Sequence, residues 1–221
     1  MMIMVIYALI TIAIFGMWYY ARYEGNFLPS PKKTFNPMML VAIVILVPGT
    51  QFAANFIANL TGYIRPDWLQ QYNELFETSG ITDTTFVTVL YSVILAPICE
   101  ELIFRGVTMR CARKALPFAL ANLIQAALFG LFHLNWIQGI YAFALGIVLG
   151  YVCECGGSIY YSMGLHMLFN LWGTLSGFFP DPGNSVVVFV VVIVVTIVSL
   201  VVGFVLFNKG RRKLPINSTG I

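Results

Sequence analysis

Residues 97–106 read PICEELIFRG, and they set two adjacent carboxylates, Glu100 and Glu101, inside a stretch that is otherwise apolar enough to cross a bilayer. One acidic side chain at the centre of a membrane helix costs about 2.5–3.5 kcal/mol on insertion scales. Acids are therefore kept at such positions when they face the inside of a helix bundle and have a partner or a chemical task. The stretch predicts a helical bundle with a buried polar site.

The composition assigns the whole chain to the membrane. Of its 221 residues 59% are apolar and only 10% are charged, and the mean hydropathy is +0.86, values far outside those of soluble proteins. No internal repeat or soluble domain interrupts the apolar runs, so residues 1–221 are predicted to form one all-α, polytopic transmembrane domain. The runs predict about seven transmembrane helices, near residues 2–20, 36–60, 84–108, 117–135, 137–153, 158–179 and 186–207.

Loop charge predicts the orientation of these helices. When the connections are assigned alternately to the two sides, every lysine and arginine except Arg65 falls on the same side. The positive-inside rule then places the N-terminus outside and the C-terminal tail, residues 208–221, in the cytoplasm. The net charge of +3 comes from these loop clusters, so it reports topology and gives no indication of a nucleic-acid partner.

The long external connection contains PDWLQQYNELFETSG at residues 66–80. Its large apolar side chains recur at helical spacing, while its two glutamates face elsewhere, which is the pattern of a helix that lies in the membrane interface. We therefore expect an amphipathic helix between Asp67 and Gly80.

The two acids of the opening stretch differ in their partners. Glu101 stands four residues before Arg105, so on a helix the two side chains meet in the favoured acid-first order and neutralise each other. Glu100 projects about 100° away around the same helix and has no base three or four residues later. Glu101 thus has a structural explanation, whereas Glu100 needs a chemical one.

The chain has only two histidines, His133 in FGLFH and His166 in HMLFN, and both lie within predicted spans. The turn around RKALP lies about as many residues after Glu100 as before His133, so an antiparallel hairpin would bring the two side chains to the same depth. His166 and Asn170 are four residues apart and share a helix face, as do Phe129 and His133.

Pro97 stands directly before the acids and lacks a backbone N–H. We expect it to kink the third span and to free a carbonyl near residue 93. A carboxylate, two imidazoles and an amide that face one site are suited to hydrolysis, because they supply a base for water and donors for an oxyanion. A cysteine nucleophile is less favoured, since Cys99 points away from the face of Glu100.

Three short motifs resemble those of a known family. EELIFR (100–105), FGLFH (129–133) and HMLFN (166–170) are similar to the EExxxR, FxxxH and HxxxN motifs of the CAAX protease and bacteriocin-processing family of intramembrane glutamic endopeptidases. They occur in this order on separate predicted helices, and the resemblance spans roughly residues 84–175. It implies an endopeptidase that cleaves a membrane-associated or lipidated peptide near the cytoplasmic side of the bilayer, without a cofactor.

The resemblance also assigns roles to residues. It implies that Glu100 and His133 activate the water, and that His166 and Asn170 hold the oxyanion. The supporting residues would be Glu101, Arg105 and Phe129. The compact chain is similar to prokaryotic members of the family, so we expect a protein of the prokaryotic cell membrane.

Other functions remain open at this point. The same polar cluster could tie helices together in a peptide-binding or bacteriocin-immunity protein that does not cut its ligand. Glu100, His133 and His166 could be zinc ligands, although no HExxH helix occurs. Intramembrane acids and histidines also build proton relays in transporters, although the absence of repeats argues against this class.

Overall fold

The computed structural model describes residues 2–27, 35–79, 85–176 and 185–211. In these residues the regular structure is entirely helical, which confirms the all-α prediction. Eight helices are described: α1 (Met2–Phe27), α2 (Pro37–Ile64), α3 (Pro66–Ser79), α4 (Phe86–Arg113), α5 (Phe118–Phe132), α6 (Trp136–Gly156), α7 (Ile159–Ser176) and α8 (Val186–Gly210).

Five of these helices, α1, α2, α4, α6 and α8, are long and apolar enough to cross a membrane. The helix α5 is apolar but has only 15 residues. Together with α7 these helices correspond in position to the seven predicted spans, with ends that differ by up to seven residues. Residues 177–179 of the sixth predicted span and residues 212–221 of the predicted tail lie outside the described residues.

The predicted interfacial helix is present as α3. It ends at Ser79, and Gly80 lies outside the described residues. Leu69 of α3 packs on Gly62 near the end of α2, where a Cβ would lie 3.2 Å from the leucine side chain. The ring of Trp68 stacks on that of Trp136 with the centroids 5.3 Å apart. The helix α3 therefore lies against the end of α2 and the beginning of α6.

Local sequence explains where the helices begin and end. Three polar side chains, Asn36, Thr85 and Asn135, cap α2, α4 and α6 by accepting a backbone N–H of the first turn. Gly157 ends α6 with φ 65°, a left-handed conformation that suits glycine. The α5 helix begins after Pro117 and ends at Phe132, directly before His133.

The helix α4 contains two wider, π-type segments, Tyr91–Leu95 and Leu102–Met109, on either side of the acidic pair. In the first segment the N–H of Ala96 donates to the carbonyl of Tyr91, five residues earlier. Such segments are frequent at functional sites because they re-aim the side chains that follow.

The helices pack through small residues and a shared apolar core. The α2 and α8 helices are in close contact, because a Cβ on Gly203 of α8 would lie 2.6 Å from the side chain of Leu46. Ser199 of α8 also accepts the N–H of Gly49 at 2.9 Å. The main core joins buried side chains of α2, α4, α5, α6, α7 and α8.

Two contacts fix how α4 and α6 run beside each other. Arg105 of α4 binds the carbonyl of Gly146, and Arg113 binds the carboxylate of Glu154 at 3.0 Å. Both pairs are separated by 41 residues. The two helices are therefore parallel, and residues of α4 lie level with the residues of α6 that have numbers 41 higher.

Candidate active site

Of the two adjacent glutamates, Glu101 is the one that pairs with Arg105, as the spacing of four residues predicts. Nη1 of Arg105 donates to Oε1 of Glu101 at 2.8 Å, and both side chains are fully buried. Nη2 of Arg105 donates to the carbonyl of Gly146 at 3.2 Å, and its guanidinium lies 4.5 Å from the ring centre of Phe129. The positive charge of Arg105 is thus neutralised by Glu101 of the same helix, and contacts with α5 and α6 hold the guanidinium in place.

His166 lies between the two glutamates. Its Nδ1 is 3.0 Å from Oε1 of Glu101, and its Nε2 is 3.6 Å from Oε2 of Glu100. An ionised carboxylate only accepts hydrogen bonds, so the Nδ1 of His166 carries a proton and donates a hydrogen bond to Glu101. Glu101 thereby fixes the imidazole orientation and turns its other nitrogen towards Glu100.

Glu100, for which the sequence indicated no basic partner on its own helix, lies close to His166. The nearest base given by the geometry is His166 of α7 rather than a base on α4. The Glu100 side chain keeps 13% of its surface exposed, whereas that of Glu101 has none. The first acid can thus meet water or a ligand, and the second cannot.

His133 stands at the end of α5, beside Phe129. Its Nδ1 lies 2.8 Å from the carbonyl of Phe129, and a carbonyl only accepts, so this nitrogen carries the proton. The Nε2 of the neutral ring then keeps a lone pair. The Phe129 ring contacts both imidazoles edge-on, with centroids 5.0 Å from His133 and 5.7 Å from His166. Phe129 therefore packs against both histidines, and its supporting role in the site stays a prediction.

Asn170 binds the irregular part of α4. Its Nδ2 donates to the carbonyl of Ser92 at 2.8 Å. This carbonyl has no N–H five residues later, because that residue is Pro97, and the N–H of Ala96 is taken by Tyr91. The sequence predicted a free carbonyl near residue 93. The one that Asn170 binds is one residue earlier, since the helix is π-type at this point.

A polar pair on α5 was missed by sequence reasoning. Nε2 of Gln125 donates to the carbonyl of Gly146 at 2.8 Å and to Oδ1 of Asn122 at 2.6 Å. Arg105 donates to this same carbonyl of Gly146. The two amides belong to no motif, and the signal available was their spacing of three residues in an otherwise apolar helix.

The depth of the site differs from the expectation. Glu100 is fourteen residues after Phe86 and thirteen before Arg113, in the middle of α4. His133 is at the end of α5 that is remote from the basic turn, residues 110–114, and near α3. If the basic turn is cytoplasmic, His133 faces the other side. A cytoplasmic basic turn and a site that lies near the cytoplasmic side are therefore two predictions that do not fit this geometry together.

A metal centre would need ligands that converge. Within the described ranges, no three His, Cys, Asp or Glu side chains are grouped as metal ligands. Of the three zinc ligands considered above, Glu100 and His166 are adjacent, whereas the contacts of His133 are with Phe129 and Phe132.

Comparison with protein families gives one match. Residues 82–172 match the family described as "Type II CAAX prenyl endopeptidase Rce1-like". The matched segment is less than half of the chain, and it contains all seven residues of the predicted site. No curated protein and no solved structure matched. The match confirms the resemblance to the CAAX protease family and indicates a CAAX-type intramembrane protease fold for this segment.

Proposed function

We propose that the chain is an intramembrane endopeptidase in which Glu100 activates a water molecule for attack on a peptide bond. The substrate would be a membrane-associated or lipidated peptide or protein, because the reacting groups lie half-way along a helix that can span the bilayer. One observation carries the proposal: His166 is held by Glu101 through Nδ1 and directs Nε2 towards Glu100. A structural histidine would need only the first of these contacts.

The water would be activated by two groups. Glu100 accepts a proton from the water, whose oxygen forms a bond to the carbonyl carbon of the substrate. His133 contributes its Nε2 lone pair as an acceptor that orients the water, since its Nδ1 proton is bound to the Phe129 carbonyl. The tetrahedral intermediate then breaks its C–N bond, and Glu100 returns the proton to the leaving amine.

The oxyanion would be held by His166 and Asn170. The Asn170 amide has two N–H groups, and one of them donates to Ser92, which leaves the second for the substrate. The Nε2 of His166 must carry a proton to donate, and the resulting positive charge would lie between two carboxyl groups. Preorganised donors of this kind stabilise a developing negative charge because they need not reorient during the reaction.

The direct experiment compares purified wild type, Glu100→Gln and Glu154→Gln in nanodiscs, with membrane-anchored peptide libraries read by mass spectrometry. Glu154 is a matched control because it is an acid whose ion pair with Arg113 is partly exposed and belongs to α6. We expect cleavage by wild type and Glu154→Gln that persists with a chelator, and a loss of at least about a hundredfold in Glu100→Gln.

Two outcomes would contradict the proposal. Chelator-sensitive cleavage would indicate a metal enzyme. No cleavage by the folded wild type would favour the alternative, a peptide-binding or bacteriocin-immunity protein that does not hydrolyse its ligand. One observation favours that alternative: the contacts of Glu101, Arg105 and His166 join α4, α6 and α7 whether or not the protein is an enzyme.

A further inference from the structure

One face of α5 points at the candidate site. Gln125, Phe129 and His133 are spaced by four residues, so their side chains lie in one row on this helix. Phe129 contacts both imidazoles of the site. Gln125 lies one turn before Phe129 and is completely buried. It belongs to none of the three motifs, yet its contacts lead from this row to the second histidine, His166.

The Gln125 amide meets Arg105 at one backbone carbonyl. Nε2 of Gln125 donates to the carbonyl of Gly146 at 2.8 Å, and Nη2 of Arg105 donates to the same oxygen at 3.2 Å. Because a carbonyl only accepts, the atom of Gln125 that faces it is the nitrogen. A Cβ on Gly146 would lie 3.1 Å from the backbone of Ala126. The α5 and α6 helices are thus in close contact where the two donors converge.

Asn122 holds the amide of Gln125 in this position. Oδ1 of Asn122 accepts the second N–H of Gln125 at 2.6 Å, and Nδ2 of Asn122 donates to the carbonyl of Ile147 at 3.0 Å. Within the described residues, Oε1 of Gln125 has no hydrogen-bond partner. A buried acceptor without a partner costs free energy, so an apolar side chain of similar size would serve packing alone better. The amide is therefore explained by what its N–H groups bind.

The contacts continue from Arg105 to the imidazole of His166. Nη1 of Arg105 donates to Oε1 of Glu101 at 2.8 Å, and this same oxygen lies 3.0 Å from Nδ1 of His166. The Nε2 of that ring lies 3.6 Å from Oε2 of Glu100. A displacement of the guanidinium would therefore move the oxygen that orients the imidazole, and with it the nitrogen that faces Glu100.

We propose that Gln125 is a positioning residue for His166 and acts on it through Arg105. The guanidinium of Arg105 contacts α5 through the ring of Phe129 and α6 through the Gly146 carbonyl. Gln125 bonds α5 to α6 at this carbonyl, so it fixes the two surfaces that hold the guanidinium. The catalytic consequence rests on the function proposed above, whereas the positioning itself does not.

The positioning can be measured without activity, because the chain has only two histidines. Histidine that is isotope-labelled at its ring nitrogens gives separate imidazole Nδ1–H signals in NMR spectra of the protein in nanodiscs, and a His133→Gln variant assigns them. Gln125→Met keeps the length of the side chain and removes its N–H groups. We expect a changed His166 signal in this variant, and exchange of its Nδ1 hydrogen with water about threefold to tenfold faster, as for the loss of one hydrogen bond.

His133 is the internal control, because its Nδ1 lies 2.8 Å from the carbonyl of Phe129 on the same helix as Gln125. We expect the His133 signal to stay unchanged in Gln125→Met, whereas a general loosening of α5 would change both histidine signals alike. Tyr151→Phe is the matched variant, since it removes a hydrogen bond of 2.7 Å from α6 to Asn208 of α8. We expect both histidine signals of wild type in Tyr151→Phe.

The inference and the proposed function fail separately. An unchanged His166 signal in folded Gln125→Met, or changes of similar size at both histidines, overturns the inference. A changed His166 signal together with no cleavage by wild type retains the inference and overturns the proposed protease. In an active enzyme, Gln125→Met should lower kcat about threefold to tenfold and leave KM unchanged, while Tyr151→Phe changes neither. If Gln125→Met does not fold, Asn122→Ala decides alone by the same signals, because it removes the acceptor that orients the Gln125 amide.

Discussion

Oε1 of Glu101 lies 3.0 Å from Nδ1 of His166, and the same oxygen accepts a hydrogen bond from Arg105 at 2.8 Å. The three side chains have exposures of 3% or less, so water cannot compensate for the loss of any one of them. Glu100 is one residue away and retains partial exposure. The two adjacent glutamates should therefore respond in opposite ways to substitution: one through stability and the other through turnover.

Glu101→Gln should destabilise the protein by about 3–5 kcal/mol, because it leaves the buried guanidinium of Arg105 without its counter-charge. The measurement is unfolding in a mixed detergent titration followed by circular dichroism. Glu100→Gln should lie within about 1 kcal/mol of wild type, since its side chain is partly exposed and the amide has the same shape.

The pair Glu101→Gln with Arg105→Gln gives the control. If the loss in the single variant comes from an uncompensated charge, removing both charges should be less destabilising than the sum of the two single substitutions, with a coupling of about 1–3 kcal/mol. Strict additivity would contradict the assignment of Glu101 to a structural ion pair.

Gly150→Ala should loosen the support of Arg105. A Cβ at Gly150 would overlap Oδ1 of Asn122 and would lie 2.7 Å from Nε2 of Gln125. Both amides must then move, and overpacking of this kind costs about 1–3 kcal/mol. The measurement is the unfolding midpoint, and in an active enzyme kcat should fall with it.

Gly164→Ala is the matched control for that prediction. Gly164 is also in a helix of the matched segment, yet a Cβ added there meets no atom within 4 Å. Alanine is favoured over glycine inside a helix by about 0.5–1 kcal/mol. We therefore expect neutral or increased stability, and a loss similar to that of Gly150→Ala would contradict the steric explanation.

The parts of the site that local spacing defines were predictable from the sequence, and those that depend on register were not. The Glu101–Arg105 pair follows from a spacing of four residues on one helix. The hydrogen bond of Arg105 to the Gly146 carbonyl follows only from how α4 and α6 pack, because the two residues are 41 positions apart in sequence. The free carbonyl was predicted near residue 93, and the one that Asn170 binds is that of Ser92; its exact position depends on the π-type turn before Pro97, which hydropathy does not reveal.

Acid should loosen α3 from the rest of the bundle. Arg65, outside the membrane-spanning helices, donates two hydrogen bonds to the carboxylate of Asp67, which lower the pKa of Asp67. A lowered folded-state pKa gives stability that is present above the unfolded value, about 3.9, and is lost as pH falls through the folded value. Below about pH 4 we expect a change in the fluorescence of Trp68, over whose ring Arg65 lies.

Asp67→Asn should remove this dependence. The amide cannot form the charge-assisted pair. The Trp68 fluorescence of the variant at neutral pH should therefore match that of wild type in acid, and it should change little with further acidification. Because the pair is exposed to solvent, added salt should weaken the effect in wild type. A wild-type transition that survives in Asp67→Asn would assign it to another group.

The orientation of the site can be read from a native thiol. Cys111 is exposed within the basic turn, whereas Cys99 and Cys153 are buried. If the turn is cytoplasmic, a membrane-impermeant maleimide should label Cys111 in inverted vesicles and not in intact cells. In a Cys111→Ser, Cys155→Ser background, Leu134→Cys supplies the opposite reporter, because Leu134 is 94% exposed directly after His133. It should be labelled from outside. The reverse pattern in both would show that loop charge misassigned the orientation, and that His133 and α3 meet peptides from the cytoplasm.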